Sequence, residues 1–260
     1  MQLEGKFALI TGAGSGIGRA LAVEASKRGM TLALCGRRPD ALAATLALLD
    51  ATKTSIAIPA DVTRAEDRAA IVARLKESWG RLDVLVNNAG VVAGGALERE
   101  SDAGLERLIA TNVTAPIALT RDLLPLLLAA QPSRVVNIGS MFGDIPFPLF
   151  TAYSATKFAL RGFSDALRRE FRDRGVGVTY AAPRATKTEA ADALETLIAA
   201  MQPKLDDPAA VAAQIWAAVE NDAASVYPAG AERFFVMLQR LFPSLVDSAV
   251  GKQMAKLIAG

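Results

Sequence analysis

The clearest indication of fold in this 260-residue sequence is the segment Phe7-Ala8-Leu9-Ile10-Thr11-Gly12-Ala13-Gly14-Ser15-Gly16-Ile17-Gly18-Arg19. Its apolar first part predicts a buried strand, and the glycines that follow predict a sharp turn into a helix. Glycines also let a backbone approach a pyrophosphate, whose charge then rests on the amides and dipole of the next helix. A tight turn without a ligand is the alternative, but it accounts poorly for four glycines in seven residues.

The glycines follow the spacing Gly-x-x-x-Gly-x-Gly, at Gly12, Gly16 and Gly18. The commoner dinucleotide spacing Gly-x-Gly-x-x-Gly is not met, because Ile17 and Arg19 stand where its third glycine would fall. The turn is therefore rich in glycine without having the commonest dinucleotide spacing.

Apolar runs alternate with amphipathic segments along the rest of the chain. Further strands are predicted at 31–35, 55–59, 82–87, 134–138, 177–181 and 225–227. Helical stripes such as Ile71, Leu75 and Trp79 lie between them, and a last helix before the seventh strand is predicted over 207–221. This alternation predicts one α/β domain over residues 1–260. We expect a Rossmann-type, doubly wound parallel sheet of about seven strands flanked by helices, with ligands at the carboxyl ends of the strands.

Composition excludes several kinds of site. The formal net charge is only +2 with acids and bases interspersed, so the chain has no electrostatic footprint for nucleic acid. The sequence contains no histidine, which excludes a Ser-His-Asp triad and a histidine-ligated zinc site, and we expect no metal. Cys35 is the only cysteine, which excludes an intramolecular disulfide and fits a reducing compartment, so we predict a cytoplasmic protein.

Tyr153 and Lys157 form a candidate proton-transfer pair. Residues four apart on a helix share a face, so the phenol and the ammonium would point into one cleft. A cation about 4 Å away, at an effective dielectric near 20, favours the phenolate by roughly 4 kcal/mol, about three pK units. The phenol could then act as an acid or base near neutrality. Alternatively, Tyr153 is a core residue of an apolar helical stripe.

The ordered set of motifs resembles the short-chain dehydrogenase/reductase family, in its single-domain type of about 250 residues. The landmarks that carry this resemblance are Thr11-Gly12 to Gly18, Asp61, Asn87-Asn88-Ala89-Gly90, Asn112, Ser140, Tyr153 and Lys157. Each motif is weak alone, but their common order is specific.

The resemblance implies a catalytic role for four side chains. Tyr153 would exchange a proton with the substrate oxygen, and Ser140 would donate a hydrogen bond to it. Lys157 would hold the nicotinamide ribose and lower the Tyr153 pKa, while Asn112 would hold a water that links Lys157 to solvent. The alternatives are a local capping or bridging role for Asn112 and a role for Ser140 as a turn residue at a strand end.

The resemblance also implies a set of cofactor-binding residues. They are Gly12, Gly14, Ser15, Gly16, Ile17, Gly18, Arg37, Arg38, Asp61, Val62, Asn88, Ala89, Gly90, Tyr153, Lys157, Pro183 and Thr188. Asp61 would contact the adenine edge, or alternatively cap the helix that begins near Arg64. NAD-binding members carry an acid at the end of the second strand. Here Gly36 removes it, and Arg37 with Arg38 offers guanidinium groups suited to a 2′-phosphate, so we predict NADP(H). The alternative is that these arginines are solvated loop charges.

Two segments depart from the family pattern. The family usually has Pro-Gly after the sixth strand, whereas this chain has Pro183-Arg184, and we expect Arg184 to face solvent rather than bind an anion. Residues 184–206 form a candidate substrate loop. Residues 231–260 form a helical extension with an apolar face that needs a cover. The favoured cover is the core or a dimer partner, and the alternatives are a substrate mouth or, least favoured, a membrane surface.

The combined prediction is an oxidoreductase that transfers a hydride between NADP(H) and a carbonyl or alcohol substrate, with an apolar ketone or acyl compound favoured. The resemblance implies a homodimer or homotetramer that pairs through the helices holding 101–130 and 152–174. A non-catalytic NADP(H)-binding sensor or scaffold is the alternative. Its expected signature, loss of Tyr153 or Lys157, is absent from the sequence. A lipid-surface module led by the C-terminal helix is a third hypothesis.

Overall fold

A computed structural model describes residues 1–188, 205–228 and 230–259, with only the backbone described for 252–259. Its described part contains one parallel sheet in the order β3-β2-β1-β4-β5-β6-β7. The strands are β1 Phe7–Thr11, β2 Thr31–Gly36, β3 Ile56–Pro59, β4 Val84–Asn87, β5 Ser133–Ile138, β6 Val176–Ala181 and β7 Ser225–Val226. Each predicted strand is confirmed to within two residues at either end.

The helices of the described residues connect these strands and cover both faces of the sheet. They are α1 Gly16–Lys27, α2 Pro39–Leu46, α3 Ala65–Trp79, α4 Asp102–Ile109, α5 Ala115–Ala129, α6 Thr151–Glu170, α7 Pro208–Glu220, α8 Glu232–Leu241 and α9 Pro243–Ala259. A short π-helical segment, Ala110–Thr114, joins α4 to α5. The predicted doubly wound α/β fold is therefore confirmed.

Two hydrophobic layers hold the helices on the sheet. In β1, Ala8 and Ile10 face the layer that includes α1 and α7, whereas Leu9 faces the layer that includes α3 and α5. This alternation follows from the period of two in a strand. Trp216 of α7 lies fully buried and donates a hydrogen bond from Nε1 to the Leu21 carbonyl of α1, at 3.0 Å. Helices from the first and last quarters of the chain thus pack together in one layer.

The strand order places a crevice at the carboxyl ends of the central strands. Strand order reverses between β1, which leads outward to β2 and β3, and β4, which leads outward to β5 and β6. Parallel sheets open a crevice at such a reversal, beyond the carboxyl ends of the strands. The glycine turn after β1 and the loop after β4 therefore face each other across this crevice.

The C-terminal extension is only partly covered. Val236 and Val246 are buried, but six large apolar side chains are about half exposed: Phe234, Phe235, Met237, Leu241, Phe242 and Leu245. The protein's own core therefore does not cover these six residues, and a dimer partner, the other part of the favoured expectation, stays a prediction. Of the candidate substrate loop 184–206, residues 189–204 lie outside the described part. Within the described residues, no helix combines the length and apolar character needed to cross a membrane.

Candidate active site

A cleft of about 670 Å³ lies beyond the carboxyl ends of β1 to β6. It is lined by nearly all the residues predicted to form the site: Gly12, Gly14, Ser15, Gly16, Ile17, Arg37, Arg38, Asp61, Val62, Asn88, Ala89, Gly90, Ser140, Tyr153, Lys157, Pro183 and Thr188. Gly18 and Asn112 are the two predicted residues that do not line it. The cleft has the size expected for a small-molecule or cofactor site.

The glycine turn forms one end of the cleft. Gly12 has φ +65°, which a residue with a Cβ rarely adopts. Gly18 has a packing role, because a Cβ there would lie 2.1 Å from the Gly12 carbonyl oxygen. Ser15 precedes α1 in an extended conformation and makes no side-chain cap in the described part, so the first amides of α1 are available to a ligand. A bare backbone turn with uncapped amides fits a pyrophosphate.

The Asn88 side chain joins the loop after β4 to this turn by hydrogen bonds. Its Nδ2 donates hydrogen bonds to the carbonyls of Thr11, at 2.9 Å, and Gly12, at 3.3 Å. Thr11 Oγ1 in turn accepts from the main-chain amides of Asn88 and Ala89, both at 3.0 Å. The side chain of Asn88 therefore holds the shape of the cleft, a role that the motif alone does not reveal.

The end of β2 forms the rim beside the glycine turn. Gly36 carries no side chain there, and Arg37 and Arg38 are exposed residues that line the cleft. Asp61 also lines the cleft, and its Oδ1 accepts from the Thr63 amide at 3.0 Å and the Thr63 hydroxyl at 2.7 Å. The carboxylate thus also holds the turn before α3, but its hydrogen bonds go to Thr63 and not to the amides of the helix. Burial opposes ionisation of Asp61, but the Thr63 hydrogen bonds and the charge of Arg37 lower its pKa below the usual value.

Ser140, Tyr153 and Lys157 meet at the opposite end of the cleft. Tyr153 and Lys157 lie on α6 as predicted, and both are buried, with Lys157 Nζ 5.6 Å from the centre of the Tyr153 ring. Lys157 Nζ donates a hydrogen bond to the Ile138 carbonyl at 3.0 Å. Ser140 Oγ accepts from the Phe142 amide at 3.2 Å, which leaves its own proton to donate.

Burial dominates the protonation of this pair. It raises the pKa of Tyr153 to about 12, and a hydrogen bond with Ser140 counteracts it only in part. Burial also lowers the pKa of Lys157 to about 8. The predicted lowering of the Tyr153 pKa is therefore wrong for this structure, because the Coulomb argument omitted the loss of solvation of both groups.

Asn112 lies behind the cleft, in the π-helical segment. Its Oδ1 accepts from the Val91 amide at 2.9 Å, and its Nδ2 donates to the Val91 carbonyl at 2.8 Å and to Thr156 Oγ1 at 3.1 Å. These bonds occupy the side chain and tie the loop after β4 to the helix that carries Tyr153. The side chain thus bridges elements that are distant in sequence, rather than capping or bridging locally, and a role in holding water stays a prediction.

An aromatic cluster beside Tyr153 was missed by the sequence analysis. Phe142 packs against Phe147 and Phe150, with ring centres 5.8 and 4.9 Å apart, and Phe150 meets the Tyr153 ring edge-on at 6.4 Å. All three phenylalanines line the cleft, and Val250 of α9 packs against the cluster. Three phenylalanines within nine residues, between Ser140 and Tyr153, were the available signal.

Arg184 also differs from its prediction. It lines the cleft, yet it is less than a quarter exposed and forms ion pairs with Asp206 and Glu232. The expectation that it faces solvent is wrong, because two carboxylates from later parts of the chain converge on its guanidinium. These partners lie 22 and 48 residues away in sequence, so no local sequence pattern predicts these ion pairs.

Comparisons with known proteins agree with the cleft geometry. The family model described as short chain dehydrogenase matches residues 6–197. The chain is 32% identical to the 3-oxoacyl-acyl-carrier-protein reductase FabG of Vibrio harveyi over 221 residues, covering 83% of this chain and 90% of that protein.

Solved structures give the same result. A short chain dehydrogenase/reductase from Burkholderia phymatum in complex with NAD superposes with a TM-score of 0.85 and 28% identity, covering 94% of this chain and 96% of that one. A short-chain dehydrogenase from Sphingobium yanoikuyae in complex with NADPH gives a TM-score of 0.78 and 30% identity, covering 96% and 95%. The chain therefore belongs to the short-chain dehydrogenase/reductase family and is an oxidoreductase of CH–OH and C=O groups that uses a nicotinamide cofactor.

Proposed function

We propose that this protein is an NADP(H)-dependent carbonyl reductase or alcohol dehydrogenase in which Tyr153 exchanges the proton. The observation that carries the proposal is the meeting of Ser140, Tyr153 and Lys157 at the buried end of a cleft whose other end is a bare glycine turn. Such an arrangement suits a hydride acceptor held beside a proton donor.

Each polar side chain at the buried end has a distinct part in the reaction. When bound, the nicotinamide cofactor supplies or accepts the hydride. Tyr153 gives its proton to the carbonyl oxygen during reduction. Its pKa of about 12 keeps the phenol protonated, and so able to donate, at neutral pH. Ser140 donates a second hydrogen bond to the same oxygen and stabilises its developing charge. Lys157 uses one proton on the Ile138 carbonyl and has two left to hold ribose hydroxyls.

The rim beside the glycine turn supports NADP(H) over NAD(H). Gly36 offers no carboxylate for the ribose hydroxyls, whereas Arg37 brings an exposed guanidinium to the cleft. A guanidinium matches a phosphate with paired, charge-assisted hydrogen bonds. The similar structures include one complex with NAD and one with NADPH, so the proposal depends on these residues of the chain itself.

The substrate end supports an apolar ketone or 3-oxoacyl compound. The wall beside Tyr153 consists of Phe142, Phe147 and Phe150, which favour an apolar chain over a polar one. The name of the V. harveyi relative, a 3-oxoacyl reductase, points to the same class of compound.

We also propose a homodimer or homotetramer in the cytoplasm. Ile109, Ile117 and Phe158, on the helices implied as the pairing surface, are large apolar side chains that remain more than a third exposed. A second copy would cover them. The single cysteine, Cys35, is buried and free, which suits a reducing compartment.

Titration of the purified protein with NADPH and NADH tests the cofactor choice. We expect NADPH to bind about tenfold or more tightly, since hydrogen bonds to charged groups contribute about 1.5–3 kcal/mol. Arg37→Gln should remove most of this preference. Arg64→Gln, an exposed arginine on the same side that does not line the cleft, is the matched control and should retain it. Tighter binding of NADH by the unaltered protein would overturn the NADP(H) proposal.

A carbonyl panel tests the substrate class. We expect NADPH oxidation with medium-chain ketones or 3-oxoacyl thioesters, at higher kcat/KM than with short polar ketones. Tight NADPH binding without turnover of any carbonyl would favour the non-catalytic sensor instead.

A further inference from the structure

Helix α8 lies beyond the part of the chain that the family model matches, yet it reaches two loops of the cleft. The match ends at residue 197, and α8 begins at Glu232. One loop follows β6 and includes Pro183 and Arg184, and the other follows β5 and includes Ser140. The contacts are ionic. The Arg184, Glu232 and Asp144 side chains are largely removed from solvent, whereas Arg240 is about half exposed.

The first contact joins α8 to the loop after β6. Arg184 Nε donates to Asp206 Oδ2 at 2.8 Å, and its Nη1 donates to a carboxylate oxygen of Glu232. The three side chains are only 17–23% exposed. The second oxygen of Glu232 is buried and has no hydrogen-bond partner among the described residues, so Arg184 is the group that compensates the charge of Glu232.

The main chain around Arg184 carries this contact to the cofactor side of the cleft. The Asp206 amide donates to the Ala185 carbonyl at 2.9 Å, and the Lys187 amide donates to the Asp206 carbonyl at 3.0 Å. The segment 183–186 lines the cleft together with Thr188. Fixing Arg184 therefore fixes a segment of main chain that lines the cleft.

The second contact joins α8 to the loop that carries Ser140. Asp144 ends the short turn after Ser140, and its side chain is fully buried. Its Oδ1 is paired with Arg161 of α6, accepts from the Tyr227 hydroxyl at 3.1 Å and lies 3.5 Å from Nη2 of Arg240 on α8. Met141, next to Ser140, also donates from its amide to the Pro183 carbonyl at 3.0 Å, so the two loops are joined to each other.

We propose that Glu232 is a positioning residue of the oxidoreductase site, which acts through Arg184 to fix the loop after β6, with Arg240 and Asp144 as a weaker second contact. Helix α8 thereby completes a cleft whose reacting groups all lie in the family-matched region. The inference depends on the family's oxidoreductase activity, not on the choice of NADP(H) or of substrate.

The test compares Glu232→Gln with Arg233→Gln, an exposed neighbour on the same helix. For each variant we would measure the melting temperature, kcat, KM and the Kd of whichever nicotinamide nucleotide the unaltered protein binds more tightly. Glu232→Gln should raise that Kd about tenfold while changing kcat less, because small misplacements of groups that face a ligand are costly. Glu232→Asp, which keeps the charge, should recover most of the loss, and Arg233→Gln should match the unaltered protein.

A double-variant cycle separates positioning from general stability. In an Arg184→Gly background, Glu232→Gln should change the nucleotide Kd by less than twofold, since its partner is already gone. Equal Kd, kcat and KM for Glu232→Gln and the unaltered protein, even with a lower melting temperature, would overturn the proposal. So would an equal loss in Arg233→Gln.

Arg184→Lys serves if Glu232→Gln does not fold. Lysine keeps the charge but lacks the fork that reaches both carboxylates, so an intermediate rise in Kd supports the proposal and an unchanged Kd contradicts it. Because NADH can replace NADPH as the probe, a failed NADP(H) proposal leaves this test intact.

Discussion

The two ends of the cleft are built in different ways. At the glycine end, the surface that faces a ligand consists mainly of main-chain atoms, from Gly12 to the first turn of α1. At the opposite end, the surface consists of buried side chains, with Tyr153 and Lys157 packed beside three phenylalanines. The main-chain conformation therefore determines the shape of the glycine end, and the loss of solvation determines the protonation of the side chains at the other end.

This difference shows which properties follow from local sequence. A main-chain site follows from glycine spacing, because the fold of a few neighbouring residues creates it. The pKa values at the buried end depend on everything that excludes water from Tyr153 and Lys157. The pair is four residues apart as predicted, but its surroundings reverse the direction of the expected shift.

The largest expected effect is at the buried end. Tyr153→Phe removes the proton donor and should lower kcat/KM by about 10³-fold, within the usual range for loss of a general acid. The Kd for the nucleotide should change far less than kcat/KM, because Tyr153 is only one of the predicted cofactor contacts and the glycine end is untouched. Steady-state kinetics and a binding titration measure the two quantities.

Tyr180→Phe is the matched control for this substitution. Tyr180 is another buried tyrosine. It does not line the cleft, although its hydroxyl donates a hydrogen bond to the Ser140 carbonyl at 3.2 Å. Its loss should cost less than tenfold in kcat/KM. Equal losses in the two variants would mean that Tyr153 matters only through packing.

The next effect concerns the stability cost of burying Lys157. Its pKa falls from an ordinary 10.5 to about 8 in the folded protein. Between these values the unfolded chain binds a proton that the folded chain does not, so stability rises with pH through this window, and the full cost is present below pH 8. We expect Lys157→Met to lose activity yet unfold about 2 kcal/mol less readily at pH 7, after allowing for the lost bond to Ile138.

Denaturant unfolding at pH 7 and near pH 10 measures this effect. The advantage of Lys157→Met should shrink at the higher pH, where less of the unfolded chain's Lys157 is protonated. A variant that is less stable than the unaltered protein at pH 7 would show that burial of the Lys157 charge does not destabilise the folded protein.

A smaller effect on stability is expected from adding a methyl group at a closely packed glycine, compared with a glycine that has open space around it. Gly18→Ala places a Cβ 2.1 Å from the Gly12 carbonyl oxygen, so it should destabilise the protein by about 1–3 kcal/mol and weaken nucleotide binding. Gly162→Ala on α6 is the matched substitution, because no described atom beyond its chain neighbours and its own helix backbone lies within 4 Å of the added Cβ. It should stabilise the protein by about 0.5–1 kcal/mol. Thermal melting compares them, and equal behaviour would contradict the close packing at Gly18.

The sequence was sufficient for the sheet and for most of the polar and glycine residues that line the cleft, but not for the three phenylalanines beside Tyr153. Strands such as β1 and β4 are short, buried apolar runs, and the glycine turn is a local feature. The ion pairs of Arg184 could not be predicted, because Asp206 and Glu232 approach it only through the tertiary fold. The binding partners of Asn112 were equally hidden, since Val91 and Thr156 come from separate elements.

Direct titration of Tyr153 tests the central claim, that burial sets the protonation of the buried end. The chain has three tyrosines, so the tyrosinate absorbance of the unaltered protein minus that of Tyr153→Phe isolates one group. In the nucleotide-free protein, we predict no ionisation of Tyr153 below about pH 10.5, in keeping with its pKa of about 12. A step below pH 10 that is absent from Tyr153→Phe would mean that the charge of Lys157 outweighs burial, and would contradict this account.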